Sequence, residues 1–543
     1  MAVFVRLLPA AALLVAAAGS LGAQAGAAPA AAAPPACDAA QPSSGNAVRA
    51  NISLQLALKD QKTNPASAAK NLAATVKLLE ANDKDETARA YVLGSALSLW
   101  MNMPNVGLAP KRSAVGFSGN PEATIDLPGT VDSLFKIVEA SKPGCSYYTS
   151  YWRGGQQAFL DLVNGAIAAL NADKLDSAQY YATQANRLYS ASPYPSMVLG
   201  NIANKRNANA DAVKFWQASA AAAANDTSYR DVERQVLGNI ASVQLNAARD
   251  EKTPKEARVA SAKQAAATYA QLIAIPGTTG NYMYGGRQNM QSALLLAGDT
   301  AAVVASYQPL MSNPTSYEYQ DLLNSAVAAA RANKTADAAK LFEGALQVNP
   351  QNRDALYNLG VEYLALQQYD KVGPVVAKLV AVDPGNPENY FLAARAYSEQ
   401  AKTGKKGSPA LAALNDSAVV WYNRGSKLPV EVVFTEFSPG DKELIIAGTV
   451  LDRRDKAAAG DETTTAPARS TVKGARAAAA KPKAAAAMPA KAVTLKFDAL
   501  DKSGAVVGSK SVSTAELQPG KSAEFRVTIP GANAISYRYA LGE

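Results

Sequence analysis

The chain has 543 residues, of which 48% are hydrophobic and 18% are charged, and 54 basic against 45 acidic residues give a formal net charge of +9. It contains no histidine and only two cysteines. These counts exclude imidazole catalysis, histidine-based metal helices and four-thiolate zinc sites. Hydrolysis by paired carboxylates or by a Ser–Lys pair is still compatible with the composition. We predict no enzyme, no cofactor and no metal site.

The N-terminus has the three parts of a secretory signal peptide. Arg6 supplies a positive start, residues 7–18 are apolar, and Ala23-Gln24-Ala25 is a small-residue cleavage motif. The apolar run is shorter than the ~20 residues that a membrane-spanning helix needs. We therefore predict a signal peptide at 1–25, a periplasmic or secreted location, and no transmembrane segment after cleavage.

An Ala/Pro-rich linker at 26–40 follows and contains Cys37, and the other cysteine is Cys145. Export makes a disulfide between the two chemically permitted. The alternative is two separate thiols, with Cys37 in a flexible tail. We predict the disulfide.

A period of about 34 residues runs through 41–429. It is clearest at 335–400, where the recurring residues are Ala338, Phe342, Ala345, Pro350, Leu356, Leu359, Gly360, Tyr363 and Pro384. This pattern resembles the tetratricopeptide repeat, in which Leu-Gly and Tyr lie on a first helix, Ala and Phe lie on a second, and Pro ends the unit. The resemblance implies an α-solenoid of stacked helical hairpins with a concave groove for a protein or peptide partner.

The hexapeptide VLGNIA occurs at 198–203 and again at 236–241. We interpret it as the first helix of two successive hairpins, with Gly200 and Gly238 where the two helices of a hairpin approach closely. Residues 100–160 fit the repeat poorly. Within them, 103–130 is interpreted as a long loop or an irregular insertion.

Helical periodicity stops at Pro429, and six segments of alternating apolar and polar residues follow, separated by turn signals such as Pro519-Gly520. Six short strands within 430–543 predict a small all-β, immunoglobulin-like sandwich. The segment VTLKFDALDKSG, which contains Phe497 and Asp498, resembles the FxLYD-type domain at the ends of bacterial envelope proteins.

A low-complexity insertion, 452–491, separates the second strand from the third. From Thr463 to Lys491 it carries six Lys or Arg residues and no acid. Its composition predicts disorder. It is either a plain solvated loop or a contact with an anionic envelope polymer, and we expect no nucleic acid partner for an exported chain.

The repeat register places Asn201, Asn239 and Asn358 on or near the groove. An Asn side chain has both donors and an acceptor, so it can pair with the backbone of an extended peptide. The alternative is an ordinary solvated helix face. The Lys and Arg residues of a carboxylate clamp are missing, because Leu323 precedes Asn358 and Glu388 follows it.

Two aromatic stretches, 146–155 and 280–290, are predicted to be loops that stack on sugars or anchor a partner. In the second stretch, Gly280, Gly285 and Gly286 imply a loop rather than a packed helix. Their candidate residues are Tyr151, Trp152, Arg153, Tyr282, Tyr284 and Arg287. The alternative is that these side chains pack between helices.

The sequence as a whole predicts an exported, non-enzymatic repeat scaffold that binds proteins or peptides in the cell envelope. A second hypothesis is an accessory factor that binds polysaccharide or peptidoglycan through the aromatic stretches and the basic insertion. A carboxylate-dependent hydrolase is a third.

Overall fold

The structure is a computed structural model that describes residues 36–43, 45–440, 442–454, 489–531 and 533–542. The predicted signal peptide, most of the linker before Cys37 and residues 455–488 of the basic insertion lie outside the described residues. The chain divides after Thr278 into two compact units. Among the described helices, none combines the length and the apolar character needed to cross a bilayer.

The first unit consists of helices. Their bounds are α1 (Gly45–Asp60), α2 (Pro65–Leu79), α3 (Glu86–Met101), α4 (Leu127–Ser141), α5 (Ser146–Gly154), α6 (Gln157–Asn171), α7 (Leu175–Leu188), α8 (Pro193–Lys205), α9 (Asn209–Ala223), α10 (Arg230–Arg249) and α11 (Lys255–Ala274). Most of them pair as antiparallel hairpins, and α5 is a short additional helix. The irregular backbone between α3 and α4 is held by two backbone N–H groups, of Ser118 and Gly119, that donate to the carboxylate of Glu80.

The second unit begins with further helices and ends with the strands. Its helices are α12 (Gly280–Ala297), α13 (Thr300–Ser312), α14 (Tyr319–Arg331), α15 (Thr335–Val348), α16 (Arg353–Ala365), α17 (Tyr369–Val382), α18 (Pro387–Lys402) and α19 (Pro409–Ser426). The α-solenoid of tetratricopeptide-like hairpins that the sequence predicts is thus confirmed.

The turn between the two helices of a hairpin repeats with the same period. Asp173 and Asn207 are 34 residues apart, as are Asn333 and Gln367, and all four have φ between 57° and 59°. A left-handed residue at this point ends the first helix and lets the chain reverse. The period in the sequence is therefore also a period in the backbone.

The two copies of VLGNIA pack differently. A Cβ added to Gly200 would lie 2.4 Å from a ring carbon of Trp216, whereas at Gly238 the nearest atom, on Leu272, would be 3.5 Å away. Gly200 is therefore required by the close approach of α8 and α9. Gly238 fills the same place in the pattern without that constraint.

A disulfide joins Cys37 to Cys145 in the structure, and the two residues are 108 positions apart. Cys145 directly precedes α5 and is buried. The described chain before α1 is thereby fastened to the start of α5.

The C-terminal part is a sandwich of two antiparallel three-stranded sheets. Its strands are β1 (Val430–Pro439), β2 (Glu443–Asp452), β3 (Thr494–Leu500), β4 (Val506–Ser513), β5 (Ser522–Pro530) and β6 (Ser536–Leu541), and the sheet orders are β1-β2-β5 and β4-β3-β6. Phe434, Phe497, Phe525 and Tyr537 contribute rings to the shared core. All six predicted strands are present, so the predicted sandwich is also confirmed.

Both ends of the insertion between β2 and β3 meet at one residue. Arg454 donates from Nη2 to the carbonyl of Leu517 at 3.0 Å, and the backbone N–H of Lys491 donates to the same carbonyl at 3.0 Å. The chain therefore leaves the sandwich and returns to it at the same point.

The sandwich packs directly on the loops that precede α16 and α18. The N–H of Val432 donates to the carbonyl of Gly385 at 3.0 Å, and Arg353 donates to the hydroxyl of Tyr537 at 3.2 Å. The Arg353 guanidinium also lies 4.8 Å from the ring centre of Phe434. These contacts place the strands and α16–α18 in one compact body.

Candidate functional site

The first helices of successive hairpins lie side by side in the second unit. Gln291 on α12 donates to Ser325 on α14 at 3.0 Å, and a Cβ added to Gly360 on α16 would lie 2.8 Å from Leu392 on α18. Side chains that recur every 34 residues on these helices therefore form rows across a shared surface.

We call this surface the ladder face and define it by three such rows. The first row is polar, the second is apolar or aromatic, and the third begins with two amides: Gln320, Asp354 and Glu388; Leu323, Tyr357 and Phe391; Asn324, Asn358 and Leu392. On a helix, residues i+3 and i+4 lie on either side of residue i, so the polar row runs between the apolar row and the amides. Apolar and hydrogen-bonding side chains on one surface are an arrangement that can take an extended chain.

The amides of the ladder face are connected by hydrogen bonds. Gln320 donates to Oδ1 of Asn324 at 3.0 Å, and Asn324 donates to Oε1 of Gln288 at 3.4 Å. Sequence reasoning missed Asn324 and Gln288. The 34-residue step back from Asn358 would have identified Asn324.

Asn358 itself is held by its own helix. It is 8% exposed, and its Nδ2 donates to the carbonyl of Asp354 at 2.9 Å. Among the described residues no donor reaches its Oδ1. The side chain is therefore fixed in orientation while its acceptor is available to a ligand.

The other two predicted asparagines lie in the first unit. Asn201 on α8 accepts a hydrogen bond from the indole of Trp216 at 2.9 Å, so its side chain is used within its own hairpin. Asn239 on α10 is half-buried and has no hydrogen-bond partner among the described residues.

The stretch 146–155 is helix α5 and not a loop, and two of its predicted site residues are structural. Trp152 is buried and donates to the hydroxyl of Tyr91 at 3.0 Å. Arg153 is 4% exposed and donates to Oε1 of Glu139 at 2.6 Å. Tyr151 is 59% exposed and available to a partner. The loop prediction is wrong here because α5 packs against α3 and α4.

The stretch 280–290 is likewise helical, as the beginning of α12. Arg287 is held by Asp321, which accepts from its Nε at 2.8 Å, and the hydroxyl of Tyr284 donates to Asn281. Burial raises the pKa of Asp321, and the Arg287 charge opposes that rise. Tyr282 remains exposed. The loop prediction is wrong here too, because the contacts of α12 with α14 outweigh the glycines.

One cavity of about 450 Å³ lies beside α5 in the first unit. Its lining includes Asp132 and Glu139 from α4 and Ser146, Ser150 and Arg153 from α5. Both carboxylates pair with Arg153, since Asp132 Oδ1 lies 3.3 Å from its Nε. These two acids therefore form an ion-pair cluster.

Two pKa shifts occur near the ladder face. Burial raises the pKa of Tyr319 to about 12, with further contributions from Tyr284 and Asp354. Burial alone raises the pKa of Glu362 to about 7. Within the described part of the chain, no group of three or more acidic or cysteine side chains could hold a metal ion.

A family model described as tetratricopeptide repeat matches residues 329–396. Among solved structures, a tetratricopeptide repeat protein from Parabacteroides merdae is 12% identical over 49% of this chain and 100% of its own, with a TM-score of 0.27. The P58(IPK) TPR domain is 13% identical over 70% of this chain and 99% of its own, with a TM-score of 0.20. No curated protein matches the chain. The part of the chain that matches the tetratricopeptide repeat family is thus 329–396, from the end of α14 into α18.

Proposed function

We propose that this protein is an exported, non-enzymatic scaffold whose ladder face binds an extended segment of a partner protein in the cell envelope. The observation that carries the proposal is that the row of Leu323, Tyr357 and Phe391 and the amides of Asn324 and Asn358 flank one polar row on the same helices. The tetratricopeptide match at 329–396, a repeat that serves protein interaction, supports it.

The geometry indicates how such a segment would be bound. The Oδ1 of Asn358 accepts a backbone N–H of the peptide, which fixes its register. The apolar row takes alternate side chains of an extended strand. Glu388 at the end of the polar row favours a basic residue in the partner, and the missing carboxylate clamp favours an internal segment over a C-terminus.

The export part of the proposal is supported by the N-terminal sequence and by the disulfide between Cys37 and Cys145. Disulfides persist in oxidising compartments and are rare in the cytosol. The resemblance of the sandwich to an FxLYD-type domain agrees with an envelope location. Mass spectrometry of the exported protein should give a mature chain that begins at Gly26, and an uncleaved product would contradict this part.

A peptide selection tests the binding part. A random peptide library displayed on phage is selected against the mature chain, and the winning synthetic peptide is titrated by calorimetry. We expect Asn358→Ala and Phe391→Ala each to weaken binding about ten-fold, about 1.4 kcal/mol. Asn225→Ala, which replaces an exposed asparagine of the first unit, is the control. Selected peptides that bind both variants as tightly as the parent would refute the ladder face as the site.

A second candidate function is binding of an envelope polysaccharide or peptidoglycan. Two features favour it: the six basic residues between Thr463 and Lys491, and the exposed rings of Tyr147 and Tyr151 on α5. Retention on purified peptidoglycan that is lost in high salt and on deletion of 463–491 would support the contribution of the basic segment, because charge-based attraction is screened by salt.

A further inference from the structure

Helix α5 presents three different stripes to its surroundings. Tyr148 and Trp152 point towards the core, and Ser146, Ser150 and Arg153 line the cavity. Tyr147 and Tyr151 are 60% and 59% exposed. These two tyrosines are about one helical turn apart, so their Cα atoms lie about 6 Å apart along the axis.

The cavity beside this helix is lined by charged side chains whose charges balance. Asp132, Lys136 and Glu139 on α4 form one wall, and with Arg153 they make two acids and two bases. Lys136 pairs with Asp132 at 2.6 Å. A wall of this kind attracts neither an anion nor a cation strongly, but its carboxylate lone pairs and hydroxyls can bind many hydroxyl groups.

The cavity is also rigidly built. The guanidinium of Arg153 lies 5.3 Å from the ring centre of Phe135, is clamped by Glu139, and has its Nε 3.3 Å from Oδ1 of Asp132. At the far end, a Cβ added to Gly154 would lie 2.7 Å from the ring of Tyr189, so glycine lets that ring close the cavity. The disulfide at Cys145 fixes the near end.

We propose that this cleft between α4 and α5 binds a neutral oligosaccharide. Tyr147 and Tyr151 do not line the cavity but lie on the neighbouring stripe of α5, next to Ser150. The apolar faces of two successive sugar rings lie on these tyrosines at the rim, and the sugar hydroxyls bond to Ser146, Ser150 and the carboxylates of the cavity. Aromatic rings combined with a few fixed polar groups are what a saccharide requires, since it has both C–H faces and hydroxyl edges. The inference rests on the second candidate function and is independent of the ladder face.

Calorimetric titration of the mature chain with chitotetraose and with cellotetraose tests the cleft. We expect at least one of the two to bind, and the double variant Tyr147→Ala, Tyr151→Ala to weaken that binding about ten-fold or more. Tyr151→Phe should retain most of the affinity, because stacking needs the ring and not the hydroxyl. Tyr180→Ala on α7, which removes another exposed ring, is the matched control.

The inference is overturned if neither sugar binds at millimolar concentration, if the double variant binds as well as the parent, or if Tyr180→Ala loses as much affinity. Equal thermal midpoints of parent and variants exclude a folding defect. Retention on peptidoglycan that survives the double variant but needs 463–491 would refute the cleft and leave the second candidate function standing.

Discussion

The hydroxyl of Tyr539 on β6 donates to Oδ1 of Asp383 at 2.7 Å and accepts the backbone N–H of Gly385 at 2.9 Å. Tyr539 lies more than 150 residues from both partners in the chain. Burial, together with the nearby Asp383 charge, raises the pKa of Tyr539 well above its ordinary value, so the hydroxyl keeps its proton and remains a donor. This pair fastens the sandwich to the loop between α17 and α18.

Replacing Tyr539 by Phe should loosen this attachment. The change leaves a buried carboxylate and a buried N–H without their partner, which costs about 1–3 kcal/mol. Hydrogen exchange followed by mass spectrometry should show faster exchange in β6 and at the start of α18. Tyr422→Phe removes the hydroxyl of an exposed tyrosine and should change neither. Unaltered protection in Tyr539→Phe would mean that the hydroxyl does not hold the sandwich.

The repeated hexapeptide supplies its own matched pair of variants. Gly200→Ala should destabilise the first unit by about 1–3 kcal/mol, because the added methyl would overlap the ring of Trp216. Gly238→Ala has room beside Leu272 and should be neutral or stabilising by up to about 1 kcal/mol, since Ala is the better helix former. Thermal denaturation of the two variants measures the difference. Equal midpoints would contradict the close approach at Gly200.

Stability should fall as pH rises because of Glu362. Burial raises its pKa from 4.5 to about 7 in the folded state, so the folded chain holds a proton that the unfolded chain has lost between these values. The free energy of unfolding therefore decreases from about pH 4.5 to 7, by at most about 3.5 kcal/mol at ~1.4 kcal/mol per pKa unit. Below that window the penalty is absent, because both states hold the proton.

Glu362→Gln should flatten this part of the profile and stabilise the protein at pH 8, as measured by urea unfolding across the pH range. Glu256→Gln on α11 changes an exposed acid of the same kind and should leave the profile as it is. A profile with the same slope in Glu362→Gln would assign the pH dependence to another group.

Loss of the disulfide should lower the stability of the first unit. For a loop of 108 residues, the chain-entropy account gives about 4–5 kcal/mol. The double variant Cys37→Ala, Cys145→Ala should melt at a lower temperature than the oxidised protein. Reductant should lower the midpoint of the parent and not that of the double variant. A parent midpoint that is insensitive to reductant would show that the crosslink adds little.

Local patterns in the sequence were enough to predict the repeat architecture and the strands. The alternation of residues in 430–543 identifies all six strands, because the side chains of a half-buried strand change face at every residue. The recurring Leu-Gly, Tyr and Pro positions identify the hairpins, because each takes a fixed place within one repeat. Each of these signals lies within a single element or repeat.

The site depended on contacts that local patterns do not contain. Gly280, Gly285 and Gly286 suggested a loop, since each costs a helix about 1 kcal/mol relative to Ala. Arg287 on α12 forms an ion pair with Asp321 on α14, 34 residues later in the chain. The local sequence of 280–290 does not contain this contact. The same holds for Trp152, whose partner Tyr91 lies 61 residues earlier.

Arg454 and Lys491 both donate to the carbonyl of Leu517, so the sandwich holds the two ends of the insertion close together. The length of the segment between them is therefore independent of the packing of the sandwich. A short bridge could close the gap without moving either neighbouring strand, and a much longer guest, even a folded reporter protein, could be grafted there. The junction is therefore a point where the length of the inserted chain can change while the sandwich beside it stays intact.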